Sequence, residues 1–243
     1  MTLAQPSSRR VGVIGLGAMG AGIAQSLRRA GHDVHVYDIR ADAAAAFAAQ
    51  GGVACATLAD MAAACDIVIS VVVNAQQTEA VLYGEGGIAA ALRAGAVFVM
   101  CSTVDPSWSI ALEARLAEQG VLYLDAPISG GAAKAAAGQM TMMTAGRAAA
   151  YEACGAVLES MAGKVYRLGD RAGAGSKVKI INQLLAGVHI AAAAEAMALG
   201  LREGVDADAL YEVITHSAGN SWMFENRMAV SYTHLRAHET SLH

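Results

Sequence analysis

The apolar positions of this chain follow two rhythms. From residue 11 to about 167, short runs of consecutive apolar residues alternate with segments whose apolar residues recur every three or four positions. The clearest runs are 11–14, 66–73 and 96–101, a β-like alternation covers 34–38, and weaker candidates cover 121–125, 139–145 and 164–168. Short continuous apolar runs are what strands buried on both faces of a sheet require. Helical patterns lie between them, including one through Leu27 and Ala30 that Gly31 closes, and others over 107–119 and 148–161. Strands joined through helices point to a doubly wound parallel sheet. Composition changes at Gly169-Asp-Arg-Ala-Gly173. Beyond it the pattern predicts only helix, over 176–203, then 206–217, then from near Ser221. The expected organisation is an α/β domain over 1–168 and an all-α domain over 169–230, entered through one long helix.

The turn after the first run carries the first candidate chemistry. It reads Gly15-Leu-Gly17-Ala18-Met19-Gly20 and leads directly into a helical pattern. The next run ends in Asp38, eighteen residues after Gly20. A strand, Gly-x-Gly-x-x-Gly, a helix and an acid at the next strand end form a dinucleotide-binding fingerprint in its required context. The first domain is therefore expected to be Rossmann-type. Glycines let the backbone approach a pyrophosphate, and the helix N-terminus offers N–H groups and a positive dipole. A carboxylate at Asp38 suits a ribose with a free 2′-hydroxyl and repels a 2′-phosphate, which favours NAD over NADP. Arg40, two residues on, could instead pair with a phosphate. Nucleotides bind at the C-terminal ends of such strands. That places Val73, Asn74, Ala75 and Gln76 near the cofactor, with Ser102 and Thr103 after the next strand, although such residues also serve as ordinary helix caps and turns.

Two further segments stand out. Gly173-Ala-Gly175-Ser-Lys-Val-Lys179-Ile-Ile-Asn182-Gln183 opens the long helix. Positions i, i+3 and i+4 share a helix face, so Lys179, Asn182 and Gln183 are expected to project together. An amine there can act as a proton acceptor once burial and a nearby positive charge lower its pKa; the alternative is a lysine that snorkels into water. The other segment, Leu124-Asp125-Ala-Pro127-Ile-Ser129-Gly130-Gly131, leaves a strand for a Pro/Ser/Gly loop. Ser129 and the N–H groups of Gly130 and Gly131 can form a nest for a carboxylate, or simply a tight turn.

Composition removes several alternatives. The net charge of −4 offers no broad basic surface for nucleic acid. The most apolar stretch, 180–201, is interrupted by Asn182, Gln183, His189 and Glu195, and reads as a buried helix with no membrane partner. Residues 1–10 lack the apolar core of a signal peptide, so a cytoplasmic protein is expected. Cys55, Cys65, Cys101 and Cys154 show no metal-ligand spacing and read as free thiols, and no metal is expected.

Together the three motifs resemble the β-hydroxyacid dehydrogenase family, in the order Val13-Ile-Gly15-Leu-Gly17-Ala-Met19-Gly20, Asp125-Ala-Pro-Ile-Ser129-Gly-Gly131 and Gly173-Ala-Gly175-x-x-x-Lys179. The likeness runs from about Val11 to Met228. It implies that Lys179 is the catalytic acid/base, that Ser129–Gly131 holds the substrate carboxylate, and that the nicotinamide lies near Thr103. The family often has an amide four residues after the lysine; Gln183 occupies that place, with Asn182 the less certain partner. Within the family, the stretches Val73-Asn-Ala-Gln76, Gln183–Leu199 and Thr215–Asn226 are most similar to members acting on sugar acids. The implied reaction is NAD-dependent oxidation of L-threonate to its 2-oxo acid by a homo-oligomer, with tartronate semialdehyde reduction or 3-hydroxyisobutyrate oxidation as alternatives. A non-catalytic dinucleotide-binding module would have no need of Lys179. Two departures from the family are expected: its helical domain continues well past residue 230, and residues 231–243 fit no preceding pattern and read as a non-native tail.

Overall fold

The computed structural model describes residues 9–228, so the expected tail at 231–243 lies outside the described residues. The chain divides into two compact units, the first extending to Lys179 and the second beginning at Ile180.

In chain order, the first unit runs β1 (Arg10–Ile14), α1 (Ala18–Arg29), β2 (Asp33–Tyr37), α2 (Ala41–Ala48), β3 (Val53–Ala54), α3 (Leu58–Ala64), β4 (Ile67–Ser70) and α4 (Ala75–Tyr83). It continues through β5 (Val97–Met100), α5 (Pro106–Ala117), β6 (Leu122–Asp125), β7 (Ile128–Ser129), α6 (Gly131–Ala137), β8 (Met140–Gly146), α7 (Ala148–Met161) and β9 (Ala162–Arg167). The sheet order is β3-β2-β1-β4-β5-β6-β8-β7, with β9 paired to β8. β3 through β6 form a parallel Rossmann-type sheet. The order reverses between β1 and β4, which opens a crevice at their C-terminal ends.

Successive residues of the central strands feed opposite faces of the sheet. Val97 and Val99 of β5 enter one core cluster, with Val11, Val13, Ile67 and Ile69, while Phe98 and Met100 enter the other, with Val68, Leu112 and Leu116. Burial on both faces explains why these strands read as unbroken apolar runs.

The expected Rossmann-type parallel sheet is present, and two details add to it. β8 extends the sheet antiparallel to both β6 and β7. The Pro/Ser/Gly segment is also not a bare loop: Ile128–Ser129 pairs with β8 and the chain turns directly into α6. Strand direction and two-residue pairing leave no hydrophobic period to read.

The long helix α8 (Ala174–Arg202) starts in the first unit and continues in the second, where α9 (Ala207–Thr215) and a helical stretch at 222–228 follow. Ala193 and Met197 of α8 bury against Phe224 and Met228, with Tyr211 stacked on Phe224 at 5.6 Å. The rest of α8 does not match the expectation of a buried helix. Ile181, Leu184, Leu185 and Val188 are each more than half exposed. With a mean hydropathy of 1.7 over its most apolar window and only 22% of that window buried, α8 is long and apolar enough to cross a membrane by length and composition. The four cysteines are free thiols, as expected, and burial pushes Cys65, Cys101 and Cys154 up to about 12.

Candidate active site

The crevice between β1 and β4 gathers most of the expected cofactor residues. Gly15 follows β1 with φ +90°, and a Cβ there would lie 2.8 Å from the Val71 carbonyl oxygen. A Cβ on Gly20 would collide with the Gly15 carbonyl. These two glycines close the turn and press α1 onto the strand end. Gly17 differs: a Cβ there would meet no protein atom within 4 Å, so the space beside it is open. Gly17 also starts α1 with no side-chain cap and no acid in the first turn. The first N–H groups of α1, at Ala18, Met19 and Gly20, therefore have no intrahelical partner and form an anion-binding end.

Asp38 closes this turn from the end of β2. One carboxylate oxygen accepts from Leu16 N at 2.6 Å, and the other from Arg40 N at 2.9 Å and Arg40 Nε at 3.4 Å. Burial pushes the carboxyl up, but the N–H groups of Arg40 and Leu16 and the Arg40 guanidinium outweigh it and hold it below the usual carboxylate range. Asp38 is thus an ionised acceptor at the crevice, and Arg40 turns back onto it. After β4, Val73 is exposed, and Asn74 caps α4 by accepting from Gln77 N at 2.9 Å. Beyond β5, Ser102 is buried and donates to Val72 O at 2.7 Å, which leaves Thr103 exposed. An open position at Gly17, an uncapped helix end and an ionised acid at the next strand fit a dinucleotide.

A second group forms where α8 begins. Lys179 is 7% exposed, and its Nζ donates to Ile128 O at 2.8 Å. That carbonyl belongs to the residue before Ser129, so the amine lies against the Ser129–Gly131 turn. Gly130 and Gly131 both have positive φ, +139° and +78°, and Ser129 is half-buried. Burial lowers the Lys179 pKa, which favours the neutral amine. Asn182 and Gln183 follow on α8 at i+3 and i+4 and belong to the second unit; Gln183 is exposed and Asn182 half-buried. Within that unit Asn182 lines a cavity of about 310 Å³ with His189, Asn220, Ser221 and Trp222.

Two residues at this site had no role in the sequence reading. Asp125, fully buried at the end of β6, accepts from Gly173 N and Ser176 N, each at 2.9 Å, and from Ser176 Oγ at 2.7 Å. The available signal was an acid ending an apolar strand, which is costly to bury unless it is partnered. Its partners, 48 and 51 residues away, could not be read from spacing.

A family model described as the NAD binding domain of 6-phosphogluconate dehydrogenase matches residues 10–169, and one described as NAD-binding of NADP-dependent 3-hydroxyisobutyrate dehydrogenase matches residues 173–239. The chain belongs to the 3-hydroxyisobutyrate dehydrogenase-like family. It is an NAD(P)-dependent hydroxyacid dehydrogenase. Within the family, it is 66% identical to L-threonate dehydrogenase of Cupriavidus necator over 91% of this chain and 74% of that one. It is 48% identical to L-threonate dehydrogenase of Escherichia coli K12, with the same two coverages, 91% and 74%. Its fold matches the crystal structure of a 3-hydroxyisobutyrate dehydrogenase from Salmonella typhimurium with a TM-score of 0.87 and 47% identity, over 91% of this chain and 78% of that one.

Proposed function

We propose that this dehydrogenase oxidises L-threonate to its 2-oxo acid, prefers NAD to NADP, and uses Lys179 as the general acid/base. The observation that carries the reading is the buried Lys179 amine, held 2.8 Å from Ile128 O beside the Ser129–Gly131 turn. NAD bound at the α1 N-terminus supplies the acceptor for the hydride that leaves the substrate carbon. The chain does the rest. The N–H groups of Gly130 and Gly131, with Ser129, hold the substrate carboxylate. Neutral Lys179 takes the hydroxyl proton. Gln183 or Asn182 steadies the reacting hydroxyl. Gly15, Gly17, Ala18, Met19 and Gly20 would hold the pyrophosphate, Asp38 would accept from the ribose hydroxyls, and Val73, Asn74 and Thr103 would complete the cofactor site. The substrate assignment is supported by the named relatives in Cupriavidus and Escherichia.

The protein is further read as a cytoplasmic homo-oligomer acting on a small molecule, with neither nucleic acid nor membrane as partner. The exposed apolar residues of α8 favour self-association, since soluble monomers seldom expose large apolar patches.

Initial rates with L-threonate, 3-hydroxyisobutyrate, L-serine and an uncharged triol test the substrate. L-Threonate should lead in kcat/KM by at least about tenfold, or about 1.4 kcal/mol. A better rate with 3-hydroxyisobutyrate would overturn the substrate assignment. Equal rates with the triol would remove the carboxylate site from the Ser129–Gly131 turn.

A further inference from the structure

The amine of Lys179 can act only if the first turns of α8 are held in place against β7. Helix N-termini leave N–H groups without intrahelical partners. At α8 these groups are not turned to solvent. Gly173 N and Ser176 N both donate to one oxygen of Asp125, and Ser176 Oγ donates to the other. Asp125 and Ser176 are both fully buried. Lys179 follows Ser176 by three residues, on the same helix face. The strand and the helix are also in direct contact: a Cβ on Gly175 would collide with Met143 O and lie 3.1 Å from the same Asp125 oxygen.

We infer that Asp125 is a positioning residue for the reaction: its carboxylate pins the first turn of α8 to the end of β6 and so sets the Lys179 amine at the Ile128 carbonyl, beside the Ser129–Gly131 turn. The inference rests on the reading of Lys179 as the acid/base. Among the described residues Asp125 hydrogen-bonds to Gly173 and Ser176, and to neither Lys179 nor the cofactor crevice. Its action is geometric, and displacement of a reacting group by about 1 Å can cost on the order of 10²-fold in rate.

The hydrogen bonds define the test. Asp125→Ala leaves three buried donors without an acceptor. Asp125→Asn keeps one oxygen for the two N–H groups, and the Ser176 hydroxyl can rotate to accept from the new amide. Gly175→Ala leaves Asp125 and Ser176 intact but pushes the helix start away from both strands. In the full chain, Asp125→Ala and Gly175→Ala should lower kcat by about 10- to 100-fold, with NADH affinity within about threefold of wild type. Asp125→Asn should recover kcat to within about fivefold of wild type. A readout independent of turnover is acylation of Lys179 by an amine reagent, followed by peptide mass spectrometry. The buried amine should react slowly in wild type and in Asp125→Asn, and at least about tenfold faster in Asp125→Ala.

Lys179→Ala, measured alongside, separates the two readings. If it retains turnover, the acid/base assignment falls and this inference falls with it. If it is inactive while folded Asp125→Ala keeps wild-type kcat and wild-type Lys179 protection, the positioning role alone is overturned. Should Asp125→Ala not fold, Gly175→Ala decides: wild-type kcat and protection in that variant would equally overturn the role.

Discussion

The two units treat their apolar residues in opposite ways. In the first, β1, β4 and β5 are sealed on both faces, and Phe98, Ile69 and Leu112 are fully buried. In the second, the described core is Ala193, Met197, Phe224 and Met228, while Leu184 and Ile181 stand 69% and 65% exposed on the same long helix. The difference separates rigidity from apolarity. The first unit buries enough to hold backbone groups in costly arrangements: a turn with no room for a Cβ at Gly20, and a buried carboxylate at Asp125. The second is just as apolar by composition but, among the described residues, has little packed against it. Chemistry that needs fixed positions should therefore depend most on residues of the first unit.

The largest effect expected from this contrast concerns the two sides of the unit boundary. Lys179→Ala should reduce kcat by about 10²–10⁴-fold while leaving NADH affinity nearly intact, the usual cost of losing a general base. Gln183→Ala, one helical turn on and exposed, should cost about tenfold or less in kcat/KM, as for one hydrogen bond. Equal losses would break the contrast. The pH profile adds a sign. Burial lowers the Lys179 pKa, so the neutral amine persists to lower pH than in an ordinary lysine. Oxidation should fall as pH drops through that pKa, on a limb lying below the usual lysine range, and the limb should vanish in Lys179→Ala.

Next in size is stability. Phe98→Ala removes a fully buried ring from between the sheet and its helices and should cost about 3–5 kcal/mol. Leu184→Ala, at 69% exposure, should change stability by no more than about 0.5 kcal/mol. Urea denaturation of both variants, followed by circular dichroism, measures this. A Leu184→Ala loss near that of Phe98→Ala would show that the α8 face is covered in solution, and repeating the measurement across protein concentrations would reveal a second copy as the cover.

The same contrast explains what was legible in the sequence. Unbroken apolar runs mark strands sealed on both faces, and 66–73 and 96–101 each contain one. The cofactor turn was legible because its constraints are local: Gly15, Gly20 and Asp38 meet across a single strand-helix-strand unit. The long helix was legible as a helix but not as an exposed one, since apolarity records what could be buried and not what is present to bury it. β3 and β7, two residues each, are too short for any period to register. The reversed direction of β8 and the bonds from Asp125 to Ser176 depend on segments distant in the chain, and no local pattern encodes them.

A smaller effect concerns cofactor choice. Asp38 is held ionised by Leu16 N and Arg40, so a 2′-phosphate would meet a fixed negative charge. Asp38→Ser should shift the NADP/NAD ratio of kcat/KM upward by about tenfold, or about 1.4 kcal/mol. The backbone turn should loosen slightly, because Leu16 N loses its best acceptor. A wild-type enzyme that prefers NADP would contradict this reading and assign Arg40 to the phosphate. The test also sharpens the comparison of units, since no substitution beyond Lys179 should move this ratio.

The smallest effect lies at His32, in the first unit between α1 and β2, and it tests how far burial there governs ionisation. Its Nε2 lies 2.9 Å from Ser160 Oγ, and that hydroxyl donates its own proton to Ala156 O at 2.8 Å. Ser160 can therefore only accept from the ring, which places the proton of neutral His32 on Nε2. Nδ1 is buried with no hydrogen-bond partner. Protonating it would create a buried N–H with no acceptor, and burial accordingly lowers the His32 pKa below 6.5. Between that lowered value and 6.5, the unfolded chain binds a proton that the folded chain does not, so stability rises with pH through this window and is lost on acidification. Thermal melts from pH 7 down to 5 should show this decline in wild type, and His32→Gln should flatten it. A wild-type melting temperature that does not change over the interval would mean that water reaches Nδ1, and that the first unit is less tightly sealed at this edge than at its central strands.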